Sequence, residues 1–283
     1  MTPQPYLGIT GPVTREEVDA LCKEFSDANY KNYSIQNHST PNPPAPNQPT
    51  HLLMLGFLVS YKTLHGQTTT NRRYFSIEQI SKLVTGLPPS VLPMIHYNSR
   101  EMETLAEQVT KIFDEATEAG MYATGLCRAL QLNIVWPNAA QVGEIKNKFP
   151  AMRLVFQASQ KAMEGRTPTE IAEGIRSYGD VFSYVLIDPS GGKGIEFDIQ
   201  HSLAVYNTVR NKLPDLTVGF AGGFTGDNVT ERVEQIAQRI GTKYFCIDAE
   251  GGLRDKITPE YGDDVLNLTK ARAYIRNAAK GLK

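Results

Sequence analysis

Eight short apolar runs punctuate the chain at near-regular intervals, and a longer helical pattern follows each one. The runs are Tyr6–Thr10, His51–Val59, Val91–His96, Gly125–Val135, Met152–Phe156, Tyr184–Ile187, Leu216–Phe220 and Lys243–Ile247. Most are apolar at successive positions rather than at every second one. Strands of this kind are buried on both faces, as in a parallel sheet covered by helices. The segments between them carry helix-start signals. Thr14-Arg-Glu-Glu17 and Ser76-Ile-Glu-Gln79 have the form of a capping box, and Thr167-Pro-Thr-Glu170 adds a proline at the first helical position. Further helices are expected over residues 101–118, 138–148, 198–212, 227–239 and 263–279. Eight strand–helix units in order predict an α/β chain closed into a single (β/α)8 barrel over residues 1–283, with an open doubly wound sheet as the alternative.

One segment breaks the rhythm. Residues 29–50 are rich in Asn and Pro, including Pro41, Pro43, Pro44, Pro46 and Pro49. This composition predicts an extended loop between the first helix and the second strand, on the face of a barrel away from its chemistry. The connection from Ser60 to Arg73 follows a strand instead. It falls on the catalytic face, where it is placed to act as a lid.

Charge narrows the partners. Lys plus Arg number 29 and Asp plus Glu number 30. A nearly neutral chain lacks the basic excess that nucleic acid or an anionic membrane would select. No run of about 18 apolar residues suggests a membrane span, and the first residues do not read as a signal peptide. The chain therefore reads as cytoplasmic. Cys22, Cys127 and Cys246 are odd in number and far apart, which suits reduced thiols and supports neither a disulfide nor a metal site.

Chemistry concentrates in the last third. In Gly219-Phe-Ala-Gly-Gly-Phe-Thr-Gly-Asp-Asn228 a strand runs into paired glycines and then a helix start. Glycines there let a phosphate oxygen approach backbone N–H groups. The next strand ends in Ile247-Asp-Ala-Glu-Gly-Gly252. Loops after strands seven and eight commonly form one phosphate site in barrels, so Gly222, Gly223, Gly251 and Gly252 are the expected phosphate cradle. Tight turns alone would also explain the glycine pairs. Asp188 ends the sixth strand, where a carboxyl group can serve as acid or base or simply cap a turn. Lys193, in the glycine-rich loop beyond it, can pair with an anionic group or stand solvated. His96 ends the third strand. Its imidazole reads either as a base near neutral pH or as a rim histidine held by hydrogen bonds.

These loops, in this order, resemble phosphoribosylanthranilate isomerase, the tryptophan-biosynthesis barrel. The residues that carry the resemblance are Gly8-Ile-Thr10, Gly56-Phe57 with Arg73-Tyr-Phe-Ser-Ile-Glu-Gln79, Gln131-Leu132, Asp188 with Ser190-Gly-Gly-Lys-Gly194, Ala221-Gly-Gly223 with Asp227-Asn-Val229, and Asp248 with Gly251-Gly252. The resemblance implies a TIM barrel of the ribulose-phosphate-binding type. It implies rearrangement of an aminoaldose phosphate to an aminoketose (an Amadori reaction) by an isomerase that needs no metal or cofactor. It places the general acid on Asp188, the arginine for the substrate carboxylate on Arg73, and the phosphate loops on the two glycine pairs. The family includes monomers and homodimers. This chain departs from the pattern where the general-base cysteine belongs: that position is Leu7. Pro5 and Asn133 replace a lysine and a histidine. Three readings follow. One is a sugar-phosphate isomerase with altered chemistry, with His96 or another group as a substitute base. The second is a non-catalytic protein that binds a phosphorylated metabolite. The third is a scaffold that interacts through the Pro/Asn-rich loop.

Overall fold

The structure is a computed structural model and describes residues 2–30, 50–69, 71–115, 117–190, 199–260 and 262–283. Lys193 and nearly all of the Pro/Asn-rich segment therefore lie outside the described residues. Eight parallel strands close into a barrel in sequence order: β1 (Tyr6–Thr10), β2 (Leu52–Ser60), β3 (Val91–Asn98), β4 (Ala129–Leu132), β5 (Arg153–Ser159), β6 (Phe182–Asp188), β7 (Thr217–Ala221) and β8 (Cys246–Ala249). Closure comes from β8 pairing with β1 in the register Leu7–Ile247, Gly8–Asp248 and Ile9–Ala249.

The outer layer comprises α1 (Arg15–Asp27), α2 (Tyr61–Leu64), α3 (Ile77–Val84), α4 (Leu105–Thr110), α5 (Ala139–Lys148), α6 (Gln160–Met163), α7 (Pro168–Arg176), α8 (Ile199–Lys212), α9 (Val229–Ile240) and α10 (Leu268–Leu282). The helix starts follow the sequence signals. Thr14, Ser76 and Thr167 each form a two-way capping box, and Pro168 sits at the start of α7. Each device satisfies amide groups that a helix's first turn leaves without partners. One expected helix starts late. Residues 263–279 were expected to be helical, but Asp264–Leu266 form β10, an antiparallel partner of β9 (Arg254–Lys256). Asn267 then caps α10 by accepting from the Lys270 amide.

Side chains alternate between two cores, because successive strand residues point to opposite faces. Tyr6, Leu52, Met54, Leu92, Met94, Tyr184 and Leu186 fill the barrel interior. Leu7 and Ile9 belong instead to the layer between sheet and helices, with Val18, Leu21 and Phe25 of α1. Leu7, where the resemblance places the family's general-base cysteine, thus faces the helices. The inward positions of β1 are Tyr6, Gly8 and Thr10, so Leu7 cannot present any group to the mouth.

Candidate functional site

The same alternation turns the upper strand ends into a polar ring. Residues two apart share a face, so His96 and Asn98, Gln131 and Asn133, Gln157 and Ser159, Asp188 and Ser190, and Asp248 and Glu250 all line one cavity of about 210 Å³. It lies beyond the C-terminal ends of the strands, where barrels place their binding sites. The four glycines of the expected cradle line it too. The structure thus brings Asp188, His96, Gly222, Gly223, Gly251 and Gly252 together.

Two glycines in the wall make room for polar neighbours. A Cβ at Gly8 would lie 2.4 Å from Asp248 Oδ1, and one at Gly56 would lie 2.8 Å from His96 Nε2. No side chain fits at either place while its neighbour keeps its position.

Asp188 is buried, and Gln157 and Ser190 donate to it among the described residues. Gln157 Nε2 donates to Oδ2 at 2.7 Å, while the Ser190 amide and hydroxyl donate to Oδ1 at 3.1 and 2.9 Å. Asp248 has a different setting. Thr10 Oγ1 donates to it at 3.4 Å. Burial pushes its carboxyl well above the ordinary range, and the nearby charges of Glu250 and Asp188 push the same way. Glu250 is also raised, chiefly by burial, while Arg73 and Arg254 pull it back. The two carboxyl groups thus sit in different environments: Asp188 accepts hydrogen bonds, and burial favours the protonated form of Asp248.

His96 is buried, and burial pushes its imidazole down to about 3. The ring is therefore neutral across the physiological range and only weakly basic, which removes the property that recommended it as a base. Its Nδ1 lies 3.5 Å from Gln131 Nε2, and that amide donates to Asn133 Oδ1 at 2.8 Å. His96 Nε2 and Gln131 Oε1 are buried without hydrogen-bond partners among the described residues. Buried polar atoms seldom stay unsatisfied unless something else occupies the space beside them.

The glycine loops pack against each other. Gly222 and Gly223 have φ of 117° and 64°, a left-handed region that glycine enters at no steric cost. The carbonyls of this turn are committed: Gly222 O accepts from Arg232 Nη1 at 3.1 Å and Gly223 O from Asn228 Nδ2 at 2.8 Å. The Gly223 amide donates to no group among the described residues. A Cβ at Gly252 would meet Phe224 O at 2.6 Å, so the two loops touch backbone to backbone.

Arg73 lies beside this mouth without lining it. It is buried and bridges Glu250 through Nη1 and Asp264 through Nη2, the latter at 3.1 Å. Arg254 also bonds Asp264, and it donates to Gly11 O at 3.0 Å. The Ser60–Arg73 connection is thereby tied to the β9–β10 hairpin. Arg72 reaches Asp263 at 3.0 Å, and a Cβ at Gly262 would lie 2.4 Å from Asn71.

None of the three thiols reaches the mouth. Burial pushes Cys22 up to about 11 and Cys127 up to about 12, and it pushes Cys246 well above the ordinary thiol range. Asp248 entered the sequence reading only as part of the family resemblance, and the amide ring escaped it. The available signal was a polar residue repeated two positions on at a strand end, as in Gln131 and Asn133, Gln157 and Ser159, or Asp248 and Glu250.

No protein-family model matches the chain, and no curated protein matches it in sequence. Solved structures do match. TrpF from Jonesia denitrificans has a TM-score of 0.56 at 16% identity, covering 97% of this chain and 96% of that one. Phosphoribosyl anthranilate isomerase from Thermotoga maritima gives 0.55 at 13% identity, over 97% and 98%. The tryptophan synthase alpha chain from Legionella pneumophila gives 0.56 at 10% identity, over 99% and 92%. A phosphoribosyl anthranilate isomerase matched to the same extent as the Thermotoga structure is in complex with reduced 1-(o-carboxyphenylamino)-1-deoxyribulose 5-phosphate. At these identities the likeness establishes a fold: a (β/α)8 barrel like that of phosphoribosylanthranilate isomerase.

Proposed function

We propose that the barrel binds a phosphorylated sugar at its mouth and interconverts its aldose and ketose forms with its own carboxyl groups. The observation that carries this reading is the single cavity shared by Asp188, Asp248 and both glycine pairs. The Gly222–Gly223 and Gly251–Gly252 turns are the phosphate end, where backbone amides and the adjacent helix start favour an anion. A similar barrel in complex with a ribulose 5-phosphate derivative supports this assignment.

The roles follow from the proton inventory. Asp248 keeps its proton because its charged form is buried beside two other carboxylates, so it can donate to a sugar oxygen. Asp188, already an acceptor of three hydrogen bonds, takes the proton from the carbon next to the carbonyl or imine carbon. That electron pair forms the enediol or enolamine. One proton then reaches C1, the C2 hydroxyl gives up its own, and C2 becomes the ketone. Composition is unchanged. This arrangement gives the acid role, which the family resemblance places on Asp188, to Asp248.

A second reading is a non-catalytic phosphometabolite-binding protein. It is favoured by the weak basicity of His96 and by the absence of any thiol from the described mouth.

Incubation of the protein in D₂O with ribose 5-phosphate and aldose 6-phosphates, followed by proton NMR, separates the readings. Solvent deuterium entering the sugar, lost in Asp188→Asn and Asp248→Asn, is the expected result. Tight binding of these phosphates without any exchange would replace catalysis with the binding reading. Absence of both would overturn the proposal.

A further inference from the structure

One backbone angle beside the mouth is unusual for its residue. Trp136, in the loop from β4 to α5, has φ of 49°. Asn29 is the other non-glycine residue with positive φ among the described residues, and asparagine tolerates that region far better than a bulky aromatic does. Such a conformation persists only where its surroundings over-determine it, and it gathers where a site depends on it.

The surroundings of Trp136 meet that condition. Its Nε1 donates to Ala162 O at 3.0 Å. Its ring lies 5.0 Å from that of Phe156, and Arg166 sits 4.8 Å over it. A Cβ at Gly174 would come within 2.6 Å of Cζ3 and Cη2, so α7 carries a poor helix former where the indole needs the room. Tyr178 fixes the next residue by donating to Pro137 O at 2.7 Å.

These anchors stand behind the mouth. Trp136, Ala162 and Gly174 do not line the cavity, whereas Ile134 and Val135 do. Val135 is 43% exposed, an apolar side chain left open on the wall. In the eight-strand ring β4 is four strands from β8, so Val135 lies across the mouth from Gly251 and Gly252.

We propose that Trp136 is a positioning residue: anchored outside the barrel, it holds Val135 in the mouth as an apolar shelf for the C–H face of a sugar whose phosphate lies at the glycine turns. The sugar rests on the reading of the cavity as a sugar-phosphate site. The placing of the shelf rests only on the anchors and the angle.

Two variants act on the shelf from different ends. Gly174→Ala pushes the indole from behind while improving the helix propensity of α7, and Val135→Ala shortens the shelf at an exposed position. Calorimetry on the full chain with ribose 5-phosphate and with inorganic phosphate reads the mouth. Hydrogen exchange of the Asn133 amide, which donates to Tyr97 O at 2.9 Å, reads the base of the shelf. Gly174→Ala should speed that exchange, and each variant should weaken ribose 5-phosphate by at least about threefold while inorganic phosphate stays within about twofold. The double variant should bind no worse than the weaker single one, because both changes act through Val135. Trp136→Gly, which accepts the angle but lacks the indole, should match Gly174→Ala, and Trp136→Phe should recover part of the loss. Unchanged Asn133 exchange in both Gly174→Ala and Trp136→Gly would overturn the proposal, whatever binds. Equal losses of ribose 5-phosphate and phosphate would also overturn it, since a general loosening acts on both, and so would additive losses in the double variant. If the wild type binds neither probe while the exchange responds, the sugar-phosphate reading falls and the placing of Val135 by Trp136 stands.

Discussion

Asp248 occupies the space that a side chain at Gly8 would need: a Cβ built there lies 2.4 Å from Oδ1 and 2.7 Å from Met54 Cε. The two residues are level across the β1–β8 pairing, so the backbone of one strand shapes the seat of the acid on the next. Gly8→Ala should cost about 1–3 kcal/mol of stability through overpacking. Adding Asp248→Ala should return part of that loss, because the carboxyl is the nearest obstacle. Urea unfolding of the two single variants and the double variant measures the coupling. Strictly additive losses would show that Asp248 has another place to go.

The raised carboxyls give stability a direction with pH. An unfolded Asp titrates near 3.9, whereas folded Asp248 titrates well above its usual range. Between those values the folded chain holds the extra proton and the unfolded chain does not. Stability therefore falls as pH rises through that window and levels off above the folded value. Glu250 acts in the same direction. Urea midpoints from pH 4 upward should decline in the wild type and decline less in Asp248→Asn. An equal decline in both proteins would remove Asp248 as the cause.

His96 should be silent where histidines usually respond. Its folded value of about 3 leaves the ring neutral from pH 5 to 8. The Cε1 proton resonance of His96 should stay fixed over that range. A His96 inflection between 6 and 7 would restore it as a base.

Much of this was legible from the chain itself. Runs such as Leu53-Met-Leu55 and Val185-Leu-Ile187 are apolar on both faces, and only a helix-covered parallel sheet accommodates eight of them. The capping boxes fixed three helix starts because their hydrogen bonds are local. The glycine turns and Asp188 were found because each sits at a strand end. The facing of Leu7 was not legible, because motif matching preserves order but not facing, and successive strand residues alternate between interior and exterior. The Arg73 clasp was hidden because Glu250 and Asp264 lie 177 and 191 residues away. Long-range ion pairs leave no periodic trace in sequence. The β9–β10 hairpin was hidden similarly, since three-residue strands are too short to show alternation.

That clasp can be tested against an exposed counterpart on the same loop. The Arg73 side chain is 4% exposed and joins Glu250 and Asp264, which are 18% and 12% exposed. Among the described residues, its truncation would remove the ion-pair partner of Glu250 and one of the two of Asp264. Breaking a buried pair from one side typically costs about 3–5 kcal/mol. Arg72 pairs with Asp263 one residue away in both segments, but its side chain is 63% exposed, and an exposed pair contributes about 0–1 kcal/mol. Arg73→Ala should therefore lower the urea midpoint strongly and speed amide exchange over Asp264–Leu266, while Arg72→Ala should do little. Arg73→Lys should recover only part of the loss, because one ammonium cannot form the two-armed contact of a guanidinium. If Arg73→Ala proved as mild as Arg72→Ala, the loop and the hairpin would be held by the packing of Gly262 against the Asn71 side chain instead of by the buried charges.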